Sequence, residues 1–220
     1  MGNETSSATQ ENDISSFRKE KLLHEFHTFF DFNKSGYLDW KDFDLCRQEI
    51  CRISGWKSDG QEERVRACNV FLSVWEKLQA VADFDSDGHI TAEEWIKMWT
   101  NLALNAATSK KSKIKDRNRP PPAAGLTHNI PDWLDDYIEY RFSLYDRTRD
   151  GIIDIEEFEY VLSDFGVPAK DARTAFIIFS KNQEKVVDLE YFKELSFEYF
   201  QSDEPSDLGN FITGRLNFLD

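Results

Sequence analysis

The sequence predicts an all-α protein of four helix–loop–helix units, paired into two lobes of one globule, with a short β-bridge between the loops of each pair. Three observations predict it. Apolar residues recur at helical rather than strand period along most of the chain. Polar loops interrupt that period at Asp31, Asp83 and Asp146, and each carries a glycine where the chain must turn sharply, Gly36, Gly88 and Gly151. The helix, loop, helix pattern then recurs a fourth time, so the chain is an internal repeat whose units bury their apolar faces against one another.

Residues 1–14 (MGNETSSATQENDI) are polar and rich in Ser and Thr, and read as a disordered tail. The first pair of units takes residues 15–107. Its helices carry Phe17, Leu22, Leu23, Phe26, Phe29 and Phe30; then Trp40, Phe43 and Ile50; then Val65, Phe71, Val74, Trp75, Leu78 and Val81; then Trp95, Met98, Trp99 and Leu102. Composition then changes. The stretch SKKSKIKDRNRPPPAAG has six Lys and Arg and three consecutive prolines, so residues 108–130 read as an exposed basic linker. The second pair takes residues 131–201. Pro131 suits a first turn, and the helices carry Trp133, Tyr137, Tyr140 and Leu144; Phe158, Val161, Leu162 and Phe165; Phe176 and Phe179; then Leu189, Phe192, Leu195 and Phe200. The tail, 202–220, ends in GNFITGRLNFLD and is apolar enough to fold back on the body.

Composition narrows the function. The 220 residues carry a formal charge of −14, with 40% apolar residues including 18 Phe and 6 Trp. Such a surface repels nucleic acid and anionic membranes on average, and suits a chain that gathers cations. The three cysteines, Cys46, Cys51 and Cys68, form no C-x-x-C and read as reduced thiols. No apolar run is long enough to span a bilayer and the polar N-terminus shows no signal peptide, so a cytoplasmic monomer is expected.

The loops carry the chemistry. A twelve-residue EF-hand loop offers oxygen ligands at positions 1, 3, 5, 7, 9 and 12, needs Gly at position 6, gives a backbone carbonyl at 7 and closes with a carboxylate at 12. Position 8 is apolar and bridges to the partner loop. The second loop fits best, with Asp83, Asp85, Asp87, Gly88, His89, Ile90, Thr91 and Glu94. Carboxylates so crowded repel one another unless a cation offsets them. Thr91 and Glu94 also form a capping box for the exiting helix. The third loop reads Asp146, Thr148, Asp150, Gly151, Ile152, Ile153, Asp154 and Glu157, with the Thr148 hydroxyl in place of a carboxylate. The first reads Asp31, Asn33, Ser35, Gly36, Tyr37, Leu38, Asp39 and Asp42. Asp42 is one methylene shorter than Glu. A monodentate Asp favours six-fold coordination, so this site is expected to bind Ca²⁺ in competition with Mg²⁺.

The fourth loop aligns as Ser180, Asn182, Glu184, Lys185, Val186, Val187, Asp188 and Tyr191. It lacks an acidic first position and a closing carboxylate, and Lys185 stands where glycine is needed. Its apolar position 8 survives: the set is Leu38, Ile90, Ile153 and Val187. The fourth unit therefore reads as a structural partner for the third, without metal.

With these segments on the page, FFDFNKSGYLDWKDF, ADFDSDGHITAEEWIKMW, YDRTRDGIIDIEEF and GVPAKDA, the chain resembles calexcitin within the invertebrate sarcoplasmic calcium-binding protein group, from about Phe17 onward. The resemblance implies two lobes with Ca²⁺ in loops one to three, and a calcium sensor or buffer of excitable cells. The basic segment after Ser109 is longer than that family leads one to expect, and nothing carries over to it.

Other features have simpler readings. MGNETS matches an N-myristoylation pattern at Gly2, without a following basic cluster to complete an anchor. Lys110, Lys111, Lys113, Lys115, Arg117 and Arg119 read as a solvated linker, or as a contact for a protein target or a membrane surface. His24-Glu-Phe-His27 falls one residue short of H-E-x-x-H and reads as a solvated helix edge. No P-loop and no Ser/His/Asp arrangement occurs, so a non-enzyme is expected. Two alternatives stand beside the calcium sensor or buffer. One is a membrane-associated, calcium-dependent regulator of a channel or other target. The other is a photoprotein or luciferin-binding protein, a family ending in proline where this sequence has Asp220.

Overall fold

The computed structural model describes residues 14–53, 61–113 and 131–218, with side chains except at 49–53, 61–68 and 105–113. The tail with Gly2, residues 114–130 with Lys115, Arg117, Arg119 and the prolines, and the side chains of Ile50, Cys51, Val65, Cys68, Lys110, Lys111 and Lys113 lie outside that description.

Helix α1 (Ser16–Glu25) starts where Ser15 Oγ accepts a hydrogen bond from the Arg18 amide, satisfying one of the unpaired first-turn donors. It runs into a π-helical turn, Phe26–Phe30, that ends at Asp31, whose amide donates to the Phe26 carbonyl. The wider turn swings Phe26, Phe29 and Phe30 inward, and all three are buried. Helices α2 (Trp40–Ile53), α3 (Gln61–Ala82) and α4 (Ala92–Lys113) complete the first two units. Helix α4 continues to Lys113, so the start of the basic segment is helical backbone. Pro131 is the N-cap of α5 (Asp132–Tyr145), one residue before the helix rather than within its first turn.

Helix α6 (Ile155–Asp164) starts with a capping box between Asp154 and Glu157 and ends in a Schellman motif. There Gly166, at φ +80°, donates to Ser163 O and Val167 donates to Leu162 O. Helices α7 (Ala169–Phe179) and α8 (Leu189–Gln201) form the fourth unit, followed by a 3₁₀ turn, Leu208–Phe211. The described residues thus hold eight α-helices in four units.

The loops pair as the apolar positions require. Strand β1 (Tyr37–Leu38) runs antiparallel to β2 (Ile90–Thr91), with Leu38 opposite Ile90. In the second pair Ile152 bridges Asp188, and the Ile153 amide donates to Val187 O at 2.9 Å. Leu38, Ile90, Ile153 and Val187 are all buried. One core runs through both pairs. Helix α3 packs on α5 and α1 on α8. Trp95 meets Phe26, Phe30, Trp99 and Trp133, and Trp99 stacks on Phe200 at 5.0 Å. The Trp95 indole donates to Leu22 O at 2.9 Å.

His24 departs from the expected helix edge. Its ring packs against Phe29 and Phe218, and burial, with Arg215 and Arg141 nearby, lowers its pKa to about 4. His27, one turn on, is exposed. The chain after α8 lies against the body: Ile212 and Phe218 are buried, and the Lys21 ammonium donates to Ser202 O and to Asn210 Oδ1.

Candidate functional site

The three acidic loops share one backbone path. Position 4 is left-handed in each, at Lys34 (φ 59°), Ser86 (φ 62°) and Arg149 (φ 61°). Position 6 is left-handed again, at Gly36 (φ 89°), Gly88 (φ 87°) and Gly151 (φ 85°). A Cβ at the second of these turns would be strained for want of φ freedom, not of space, which is open around all three glycines.

That path aims amides inward at the first carboxylate. Asp31 accepts from Ser35 and Gly36, Asp83 from Asp87 and Gly88, and Asp146 from Asp150 and Gly151, all at 2.9–3.2 Å. The closing carboxylate staples the two arms. Asp42 accepts from the Asn33 and Asp39 amides at 3.0 Å each. Glu94 accepts from Phe84 and Thr91, and Glu157 from Thr148 and Asp154. The Glu94 amide in turn donates to Thr91 Oγ1, completing the capping box. The shorter Asp42 therefore reaches both arms as Glu157 does. It is fully buried, and burial raises its pKa while the two amides pull it back.

The remaining candidate ligands sit on the same rings. Asn33 Oδ1 accepts from Ser35, and Ser35 Oγ donates to the Tyr37 carbonyl at 2.8 Å. Asp85 and Asp87 accept from the loop amides of Asp87 and His89, and Asp150 from that of Ile152. The side chains of Tyr37 and Ile152 face outward, which suits positions expected to offer a backbone carbonyl. Tyr37 meets His89 across the bridge, with centroids 4.5 Å apart. Carboxylate oxygens of Asp83, Asp85 and Asp87 lie within 4.8 Å of one another. Each such pair repels by about 1 kcal/mol even in water and by more in a lower dielectric. Hard oxygens crowded around a turn fit a hard dication such as Ca²⁺ or Mg²⁺.

The fourth loop follows another path. Lys185 does not take the left-handed conformation that position 6 requires; the strain is moved upstream to Lys181, Asn182 and Gln183, with φ of 52°, 58° and 65°. Helix α7 ends in a Schellman motif, Asn182 donating to Ile177 O and Lys181 to Ile178 O, with Lys181 where α6 has Gly166. Tyr191, at the closing position, donates its hydroxyl to Phe179 O at 2.7 Å, and the Lys185 ammonium lies 4.8 Å from its ring centroid. The loop is thus tied shut by a tyrosine and holds a cation of its own. Sequence reasoning saw the missing carboxylates but not this substitute. Its signal is a lysine at position 6 together with a tyrosine at position 12.

A second set of residues escaped the sequence reading. Lys21 and Glu25 follow Phe17 at four-residue intervals on the buried face of α1. Glu25 Oε1 accepts from Arg141 Nη1 and from the Tyr137 hydroxyl, both at 2.8 Å. Burial raises the Glu25 carboxyl; burial alone would lower Arg141, but Glu25 together with Tyr145 and Tyr137 more than offsets this and raises the guanidinium. Charged residues interrupting an apolar stripe were the available signal.

Comparison with known proteins places this geometry. The EF hand family model matches residues 80–99 and 138–162, around the second and third loops. Calexcitin-1 of Caenorhabditis elegans is 29% identical over 215 residues, covering 94% of this chain and 91% of its own. Sarcoplasmic calcium-binding proteins I, III and IV of Branchiostoma lanceolatum are 26% identical over 203 residues, covering 92% and 98%. The Branchiostoma relatives are named as calcium-binding proteins. The solved amphioxus sarcoplasmic calcium-binding protein superposes with a TM-score of 0.73 at 22% identity, covering 92% of this chain and 98% of that one. Apoaequorin shares the fold at a TM-score of 0.60 and 14% identity, covering 91% of each chain. With four paired helix–loop–helix units and relatives that match it almost end to end, the chain has the EF-hand fold and is similar to the sarcoplasmic calcium-binding proteins and to calexcitin.

Proposed function

We propose that this protein binds Ca²⁺ at three loops, through Asp31, Asn33, Ser35, Tyr37 and Asp42; Asp83, Asp85, Asp87, His89 and Glu94; and Asp146, Thr148, Asp150, Ile152 and Glu157, while the fourth loop binds none. The observation that carries this reading is the repeated network in which one carboxylate accepts the amides of positions 5 and 6 and another staples the two arms. The first loop, closed by the shorter Asp42, takes Ca²⁺ in competition with Mg²⁺. Residues 15–107 and 131–201 form the two lobes, and the chain works in the cytoplasm as a monomer.

Of the two calcium roles, the packing favours buffering. A sensor opens an apolar groove when it binds Ca²⁺. Here the faces that would open are occupied: Phe30 lies 4.7 Å from Tyr137, Phe71 lies 4.6 Å from Tyr140, and Trp99 stacks on Phe200. Calcium titration calorimetry with and without millimolar Mg²⁺ tests both parts. Three Ca²⁺ per chain are expected, one of them weakened by Mg²⁺, and Glu157→Gln should remove one. Two sites in the unaltered chain, or three indifferent to Mg²⁺, would overturn the corresponding part. A dye that brightens on apolar surface should show no Ca²⁺-dependent signal; a large one would return the sensor.

A further inference from the structure

We propose that Glu25 and Arg141 are positioning residues for the metal sites: their buried ion pair locks the entering helices of the first and third loops together, so that filling one loop changes the affinity of the other. The proposal rests on the three-site reading above.

The geometry is direct. Glu25 ends α1, six residues before Asp31; Arg141 lies in α5, five residues before Asp146. The two side chains are 116 residues apart in sequence and 2.8 Å apart in space. Arg141 is tied to both loops. The Arg141 guanidinium lies 4.6 Å from the Phe29 ring centroid, two residues before Asp31, and its Nη2 donates to the hydroxyl of Tyr145, the residue just before Asp146. Tyr137, on the same face of α5, donates to the same Glu25 oxygen. Glu25 is wholly buried and Arg141 is 5% exposed.

A buried ion pair is weak evidence for stability, since apolar groups of similar size often serve as well or better. What it supplies is register. A relative shift of α1 and α5 strains a directional, charged hydrogen bond that water does not screen, and a charge left unpaired at this depth costs far more than a loosened apolar contact. Even in a buffer, whose helices barely open, metal binding draws the first and closing carboxylates onto one ion and so fixes the end of the entering helix. A change at Asp31 is therefore carried through Phe29 and Glu25 to Arg141, Tyr145 and Asp146.

The test is a cycle on the full chain, read by nitrogen-15 NMR during Ca²⁺ titration. The amides of Gly36 and Gly151, which donate to Asp31 and Asp146, report the two sites separately. In the unaltered chain, Glu157→Gln should weaken the first site about 5-fold or more, the lower end of ordinary coupling between sites. In a Glu25→Leu/Arg141→Met background the same Glu157→Gln change should alter it less than about 2-fold, with Ca²⁺ uptake at the first site retained. Tyr137→Phe, which removes a single hydroxyl, should give an intermediate value and serves if the double variant does not fold. Equal effects of Glu157→Gln in all backgrounds, or none in the unaltered chain, would overturn the coupling while leaving three working sites. Failure of Gly36 and Gly151 to respond to Ca²⁺ at all would overturn the coupling by removing the sites beneath it.

Discussion

His24 shows how one side chain sets a pH response. It sits between Phe29 and Phe218, with Thr28 near Nδ1 and no partner on Nε2 among the described residues. Burial, helped by Arg215 and Arg141, lowers its pKa from 6.5 to about 4. The neutral ring is the folded form, so on acidification the unfolded chain takes up the proton first. Stability therefore falls as pH drops through 6.5 and the loss levels off near 4. Between pH 7 and pH 5 this single group should cost about 2 kcal/mol. Urea unfolding in the presence of a chelator, which keeps metal out of the linkage, should show that slope; in His24→Leu it should be smaller by that amount. An unchanged slope would mean the histidine is solvated.

At the scale of elements, two helices end in the same motif with different residues. Helix α6 uses Gly166 in the left-handed position and α7 uses Lys181. A side chain there costs roughly 1–2 kcal/mol, part of which glycine returns through its greater freedom in the unfolded chain. Lys181→Gly should therefore stabilise the metal-free protein by roughly 0.5–1 kcal/mol in thermal melts. Lys185→Gly is the contrast. Its backbone is not left-handed, so the change should bring no gain and should remove the ammonium seated on Tyr191. If both raised the melting temperature alike, the fourth loop would follow the path of the other three.

Across the whole molecule, the chain after α8 joins its two ends. Arg18 donates to Phe200 O, Lys21 to Ser202 O and Asn210, and Tyr199 to Lys21 O. Phe218 packs on Phe17 and His24. The closest approach is at Gly209, where an added Cβ would lie 2.3 Å from Leu195 O and 2.8 Å from both Glu198 Cβ and Tyr199 N. Two of those are backbone atoms of α8 and cannot swing aside. Gly209→Ala should cost about 1–3 kcal/mol and expose residues 202–218 to limited proteolysis ahead of the helical body. Resistance equal to that of the unaltered chain would show that the 3₁₀ turn sits less tightly.

The sequence by itself determined whatever is local. Eight helices follow from apolar period, and the three acidic loops from ligands spaced within twelve residues, because one short turn places all of them. The apolar position 8, read at Leu38, Ile90, Ile153 and Val187, foretold both bridges. Tertiary structure decided the rest. The ion pair of Glu25 with Arg141 joins residues 116 apart, and the Lys21–Asn210 bond spans 189. No local pattern marks such partners, since a charge on an apolar stripe is explained only by what another helix brings to it. His24 became half-buried because Phe218 arrives from the far end of the chain. In the fourth loop the missing acidic residues were legible, but the backbone path was not: the Schellman cap and the Tyr191 hydroxyl set the route.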